Sequence, residues 1–300
     1  MDINAKLKIS VESNIAKSCR RIFFNHLYDT DYENGFHVDI MYGSGSGTLV
    51  FYDGKFFLLT AKHVIDKNTV GGYQNNSPFW VPVYKNLNLK SLHDFLLPKY
   101  YYDIGSLISV NNYLIDSNDI CLVELFDPMP LHTPDYFIDL TDDRFVLKKN
   151  DYYEGQFLIA NGYPFGLNNF DHEFKSEGFT HSTNVVRHSA VGICLMEKDT
   201  PYISYEITNM SDVNHDGMSG GVVCNAWDTP EKVQWAGLML SGNKKITRFL
   251  PAWCVYEALT NYKKSKKHII DPAADVTSDL EKIKEVFMEY ANEFSQNKRR

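Results

Sequence analysis

The chain has 300 residues, with 38 acidic against 30 basic side chains and a formal net charge of −8. An acidic chain lacks the basic footprint of non-specific nucleic-acid binding, so no nucleic-acid partner is expected. Charged residues at 23% and apolar ones at 44% exclude a disordered chain, and at roughly 150 residues per domain the length suits two domains or one large one.

The first thirty residues carry charge throughout and contain no apolar signal-peptide run. No later apolar stretch is long enough to span a membrane. A cytoplasmic protein without a membrane partner is expected. Five cysteines (Cys19, Cys121, Cys194, Cys224 and Cys254) are an odd number without Cys-x-x-Cys spacing. They support neither a disulfide scaffold nor a zinc or redox motif. Aromatic residues reach 14%, which favours strands.

In chain order, a helix is expected in the Ala16–Phe24 region. Strand candidates follow at Phe36–Tyr42, Thr48–Tyr52, Lys55–Thr60, Phe79–Tyr84 and Ile120–Leu125, then at Gln156–Gly162, Ser189–Leu195, Tyr202–Ile207, Gly221–Asn225 and Val233–Ser241. Asp53-Gly54 between two apolar runs signals a hairpin. The polar stretch Thr141–Tyr153 is the best domain boundary. Lys263–Lys267 and Lys298-Arg299-Arg300 read as a solvated linker and tail. Ser278 and Glu281 form a capping box, and Ile283, Val286, Phe287, Tyr290 and Phe294 then share one helical face.

Three segments carry chemistry. Phe56–Thr60 is an apolar strand running into Ala61-Lys62-His63, a turn that presents an imidazole. Asn118-Asp119 opens the apolar strand Ile120–Leu125, so a carboxylate sits at the strand's mouth. Asp216-Gly217-Met218-Ser219-Gly220-Gly221 places a serine in a glycine-rich turn before a strand. A serine hydroxyl becomes a nucleophile when a base takes its proton, and histidine, with an ordinary pKa of about 6.5, suits that task. An aspartate holds the imidazole tautomer and stabilises the imidazolium. Gly217 lets the backbone turn so that its N–H and that of Ser219 face a developing oxyanion.

The same residues carry a resemblance. Thr60-Ala61-Lys62-His63, Asn118-Asp119-Ile120-Cys121-Leu122 and Gly217-Met218-Ser219-Gly220-Gly221 resemble the three catalytic motifs of trypsin-like (chymotrypsin-fold) serine proteases, in the family's own order. Gly162–Gly166 and Gly237–Gly242 resemble second-barrel strands of bacterial, HtrA-like members. The likeness covers roughly residues 30–260. It implies an all-β fold of two six-stranded antiparallel Greek-key barrels with accessory N- and C-terminal helices. The implied division is an N-terminal helical or extended segment (1–28), a first barrel with His63 and Asp119 (29–145), a second with Ser219 (146–262), and a basic linker with a C-terminal amphipathic helix (263–300). No PDZ-like extension is expected.

The resemblance implies a peptide-bond hydrolase with no metal and no cofactor. His63, Asp119 and Ser219 would be catalytic, Gly217 and Ser219 would form the oxyanion hole, and the substrate would be a protein or peptide. Val213, Asp216, Leu240, Ser241 and Gly242 would contact it, with Val213 favouring an apolar or small residue at the cleaved position. Met218 stands where zymogen-activated relatives carry an aspartate, so N-terminal cleavage is not expected to be required. A regulator docking on the terminal helices and a role in bacterial stress or defence are further expectations.

Other readings compete. Gly-x-Ser-x-Gly also fits an α/β-hydrolase elbow, but that fold needs its histidine after the serine, where only His268 remains. Gly43–Gly47 lacks the Gly-Lys-Ser/Thr of a phosphate loop. His172, His181 and His188 lack metal-ligand spacing and read as surface residues. A protease-fold docking module without catalysis is the alternative from another class, and its mark would be a broken triad.

Overall fold

The computed structural model describes residues 3–25, 41–42, 45–68, 79–85, 94–108, 116–128, 131–175, 178–196, 205–209 and 212–270. Two short helices, α1 (Ile3–Val11) and α2 (Asn14–Lys17), precede β1 (Cys19–Arg21) and β2 (Phe23–Asn25). The first half continues with β3 (Met41–Tyr42), β4 (Ser46–Tyr52), β5 (Lys55–Ala61), α3 (Lys62–Asn68), β6 (Phe79–Pro82), β7 (Phe95–Leu96), β8 (Pro98–Tyr102), β9 (Ile120–Leu125) and β10 (Ile138–Asp139). The second half holds β11 (Phe157–Gly162), β12 (Phe170–Lys175), β13 (Gly178–Thr183), β14 (His188–Met196), β15 (Tyr205–Asn209), β16 (Val222–Asn225), β17 (Trp235–Gly242) and β18 (Ile246–Pro251), then α4 (Ala252–Thr260) and β19 (Lys267–Ile269).

The second half closes into a six-stranded barrel in the order β11-β14-β15-β18-β17-β16, and β12-β13 is a hairpin projecting from it. In the first half, one sheet runs β1-β4-β5-β9-β8-β19 and another runs β3-β2-β6-β7. The two sheets are joined by two bent strands. The chain passes from β1 to β2 at Ile22, whose N–H donates to the Gly45 carbonyl, and from β7 to β8 at Leu97, whose carbonyl accepts from Phe126 N–H. With each bent pair taken as one strand, the path β4, β1/β2, β6, β7/β8, β9, β5 returns to β4 through antiparallel pairings. The molecule is therefore all-β, with two six-stranded barrels. Corners made by bent strands are the usual way a small sheet closes on itself.

The alternation of side chains explains why the strands read as unbroken apolar runs. Leu158, Ala160, Ala190, Ile207, Val223, Ala236 and Phe249 fill the second barrel. Their neighbours Ile159, Val222, Cys224 and Trp235 face outward and join the core cluster of the first barrel. Both faces of these strands are buried, so no polar face appears in the sequence.

The Asp53-Gly54 turn joins β4 and β5 as expected, with both residues at positive φ. The helix expected across Ala16–Phe24 ends at Lys17. Beyond it lie two three-residue strands whose Cys19–Phe24 stretch is buried, because this segment supplies a staved corner of the first barrel. The C-terminal helix expected at Ser278–Phe294, and residues 36–40 and 202–204 of two strand candidates, lie outside the described residues. Part of the expected basic linker is a strand: β19 pairs with β8. His188 is half-buried, not a surface residue, and its ring stands 5.9 Å from that of the buried His215. All five cysteines are free and buried.

Candidate active site

His63 and Asp119 come together at one end of the first barrel through strand register. Ala61 pairs with Ile120 across β5 and β9. One step beyond each strand therefore places Asp119 beside Lys62 and His63, which open α3. The first N–H groups of a helix have no partner inside it. Asp119 supplies two: its carbonyl accepts from Lys62 N–H at 3.2 Å, and its Oδ1 accepts from His63 N–H at 2.9 Å. Its Oδ2 accepts from His63 Nδ1–H at 2.6 Å, which leaves Nε2 as the imidazole's basic nitrogen. The turn before Asp119 is set by Asp116, whose carboxylate accepts from Asn118 N–H at 2.9 Å and whose carbonyl accepts from Asp119 N–H. Both members of the pair stay partly open to solvent.

Ser219 lies in the second barrel, on the loop between β15 and β16. Gly217 and Gly220 adopt φ of 92° and 85°, a region that glycine enters without strain. Met218 is fully buried and packs into the second barrel's core against Gly162, where a Cβ would come within 2.7 Å of Met218 Cβ. Three N–H groups of the loop are committed. Met218 N–H donates to His215 O, Gly220 N–H to Met239 O, and Gly221 N–H to Met218 O. The N–H groups of Gly217 and Ser219 have no acceptor among the described residues. They are two donors left for a ligand.

The serine hydroxyl donates to the carbonyl of Leu240 at 2.9 Å, and His63 Nε2 has no hydrogen bond among the described residues. Leu240 sits at a register shift between Met239 and Ser241, where β17 has passed the end of β16. Among the described residues, 240–242 thus have no strand partner on the β16 side. Leu240 is buried, Ser241 exposed and Gly242 partly exposed. Val213 is partly buried. Asp216 is exposed; its carboxylate accepts from Asn214 Nδ2 at 2.8 Å and its carbonyl from Phe165 N–H at 2.7 Å.

The first barrel reaches across to the serine loop. Ser46 N–H donates to Ser219 O at 3.2 Å, Ser46 Oγ to Gly217 O at 2.8 Å, and Thr48 Oγ1 to Gly220 O at 3.1 Å. Tyr163 N–H donates to Ser46 Oγ at 2.8 Å, and Thr60 Oγ1 donates to Ser46 O at 2.7 Å. Sequence reasoning did not single out Ser46, Thr48 or Thr60 for this task. The only local signal was the Gly45-Ser46-Gly47 spacing, whose second glycine faces Leu58 with no room for a Cβ.

His215, two residues before Gly217, was also missed. Its Nδ1 lies 3.0 Å from Thr247 Oγ1, and burial pushes its pKa down to about 4. Burial likewise lowers that of His188. Among the described residues no group of three or more His, Cys, Asp and Glu side chains is placed to hold a metal ion. None of their helices is long and apolar enough to cross a membrane.

No protein-family model and no curated sequence matches the chain. Solved structures do match, and one of them is a mutant of human heparin binding protein (CAP37). The match has 12% identity and a TM-score of 0.48, and it covers 84% of this chain and 94% of that one.

Proposed function

We propose that the chain is a trypsin-like serine endopeptidase. Ser219 attacks the scissile carbonyl. His63 takes the serine proton and then delivers it to the leaving amine, and Asp119 orients the ring and stabilises its charged form. The N–H groups of Gly217 and Ser219 receive the oxyanion of the tetrahedral intermediate. The observation that carries this reading is the pairing of a carboxylate-held imidazole with a serine loop that keeps two alternate N–H groups uncommitted.

A peptide substrate would add as a strand to the edge at Leu240, Ser241 and Gly242. Its own N–H would then compete for the Leu240 carbonyl and release the Ser219 hydroxyl toward His63. Val213 would line the pocket for an apolar or small side chain, with Asp216 at its rim. The buried Met218 needs no ion-pair partner, which supports activity without N-terminal processing. A cytoplasmic location, a role in bacterial stress or defence, and a regulator docking on terminal helical segments, one of them expected at Ser278–Phe294, belong to the same proposal.

The second reading, a catalytically silent docking module, is favoured by the present hydroxyl bond to Leu240 instead of His63. Labelling with a biotinylated fluorophosphonate, together with cleavage of fluorescein-casein, separates the two. Wild type should label and cleave, and Ser219→Ala should do neither. Equal behaviour of the two proteins would sink the protease assignment.

A further inference from the structure

Every carbonyl from residue 216 to residue 220 is held by a donor. Asp216 O accepts from Phe165 N–H, Met218 O from Gly221 N–H, and Gly220 O from Thr48 Oγ1. The remaining two, Gly217 O and Ser219 O, both accept from Ser46, one from its hydroxyl and one from its N–H. The two uncommitted N–H groups belong to the peptides 216–217 and 218–219. Between them lies the peptide 217–218, and the Ser46 hydroxyl holds its oxygen.

From this placement, and resting on the protease reading above, we infer that the Ser46 hydroxyl is a positioning residue that sets the angle between the two oxyanion-binding N–H groups. Its own orientation is constrained at both ends, because it accepts from Tyr163 N–H while it donates to Gly217 O. Ser46 is fully buried, which keeps water from replacing it. Met218 cannot do this work, since a thioether anchors no backbone group strongly. The hydroxyl comes from the barrel that carries His63 and Asp119, so the oxyanion donors and the imidazole share one frame. Gly217 has the freedom to rotate its peptide, and that plane is held at two points, by the Met218 N–H bond to His215 O on the loop itself and by the Ser46 hydroxyl from across the barrels.

Removing the hydroxyl misplaces donors but removes none. The expected loss in the chemical step is therefore about 10–100-fold, below that of deleting a donor. The test measures the limiting rate and half-saturation concentration of Ser219 labelling by a biotinylated fluorophosphonate, whose phosphoryl oxygen uses the same N–H groups. Wild type, Ser46→Ala, Thr48→Val and Ser219→Ala are compared, with melting temperature as the stability readout. Ser46→Ala should lower the limiting rate by that factor with half-saturation within about twofold of wild type. Thr48→Val, which frees the Gly220 carbonyl, on a peptide that does not lie between the two donors, should lose far less.

An unchanged limiting rate in Ser46→Ala, a loss confined to half-saturation, or an equal loss in Thr48→Val would overturn the role. If Ser46→Ala does not fold, Ser46→Cys, near-isosteric with a weak donor, is read on the same measure, and a wild-type rate in it would overturn the role equally. Failure of wild type to label at Ser219 would instead remove the protease reading and this role with it.

Discussion

Asp119 holds His63 at two atoms, accepting from the ring Nδ1–H at 2.6 Å and from the backbone N–H at 2.9 Å. One carboxylate thus fixes both the start of α3 and the plane of the imidazole. Asp119→Asn keeps the shape but offers an amide where an acceptor is required, so the ring takes the wrong tautomer. The expected outcome is a loss of about 10³–10⁴-fold in the rate of casein cleavage with a small change in melting temperature. Steady-state kinetics beside a thermal melt checks it, and a loss below tenfold would contradict the proposed role.

Gly220 has no space for a side chain. A Cβ there would stand 2.1 Å from Ser46 O and 2.3 Å from Thr60 Oγ1, on a backbone at φ 85°. Gly220→Ala should destabilise the protein by roughly 2–5 kcal/mol, combining left-handed strain with overpacking between the barrels. Urea denaturation followed by tryptophan fluorescence reads this directly.

Arg20 is a buried cation with a dense set of acceptors. Its guanidinium donates to the carbonyls of Lys17, Cys19, Pro82, Val83 and Tyr136 and pairs with Asp135 at 2.6 Å. Burial lowers its pKa. Arg20→Ala leaves these acceptors and Asp135 uncompensated and should destabilise by about 3–5 kcal/mol. An Arg20→Ala chain with the wild-type urea midpoint would show that the cluster contributes nothing.

The depressed pKa of His215, about 4 against an ordinary value near 6.5, makes stability pH-dependent. The unfolded chain binds a proton at this residue below the ordinary value, whereas the folded chain does so only near pH 4. Stability is therefore intact above the ordinary value and declines as pH falls toward 4. The lowered pKa of His188 acts in the same direction. Melting temperature should drop across that window in wild type, and His215→Gln should flatten the drop. A variant with the full wild-type decline would assign the effect elsewhere.

Burial raises the pKa of every thiol, that of Cys19 to about 11 and those of Cys194 and Cys224 to about 12. Native protein should give almost no reaction with Ellman's reagent at neutral pH, whereas unfolded protein should titrate all five cysteines. A rapidly reacting thiol in the native state would mean that a core segment opens readily.

The candidate catalytic residues were legible because each sits beside a strand end with strong local chemistry. His63 follows an apolar run, Asp119 precedes one, and Ser219 lies among glycines that a tight turn demands. About half of the strands were legible for the same reason, whereas β12, β13 and β18 were not. The residues that hold the site together were not. Ser46 meets Gly217 across 171 positions, and nothing local in either segment announces the other. The N-terminal corner was misread because Cys19–Phe24 carries two arginines beside continuous apolar residues, and strands of three residues show no alternation. Tyr100–Tyr102 in β8 hid as a strand behind Pro98 and an unbroken aromatic run.

The ends of the described chain are exchanged between the barrels. Ser10 in α1 is hydrogen-bonded to Trp227 of the second half, and Arg187 donates to Val11. After the second barrel, β19 returns to pair with β8 of the first. During synthesis, the segment that borders β8 is therefore made only after the whole second barrel. The helices that begin the chain wait for a docking surface that does not yet exist. Each barrel is bordered by a piece encoded on the far side of the other, so excising either half would strip a native neighbour from both, and the two should melt in one transition.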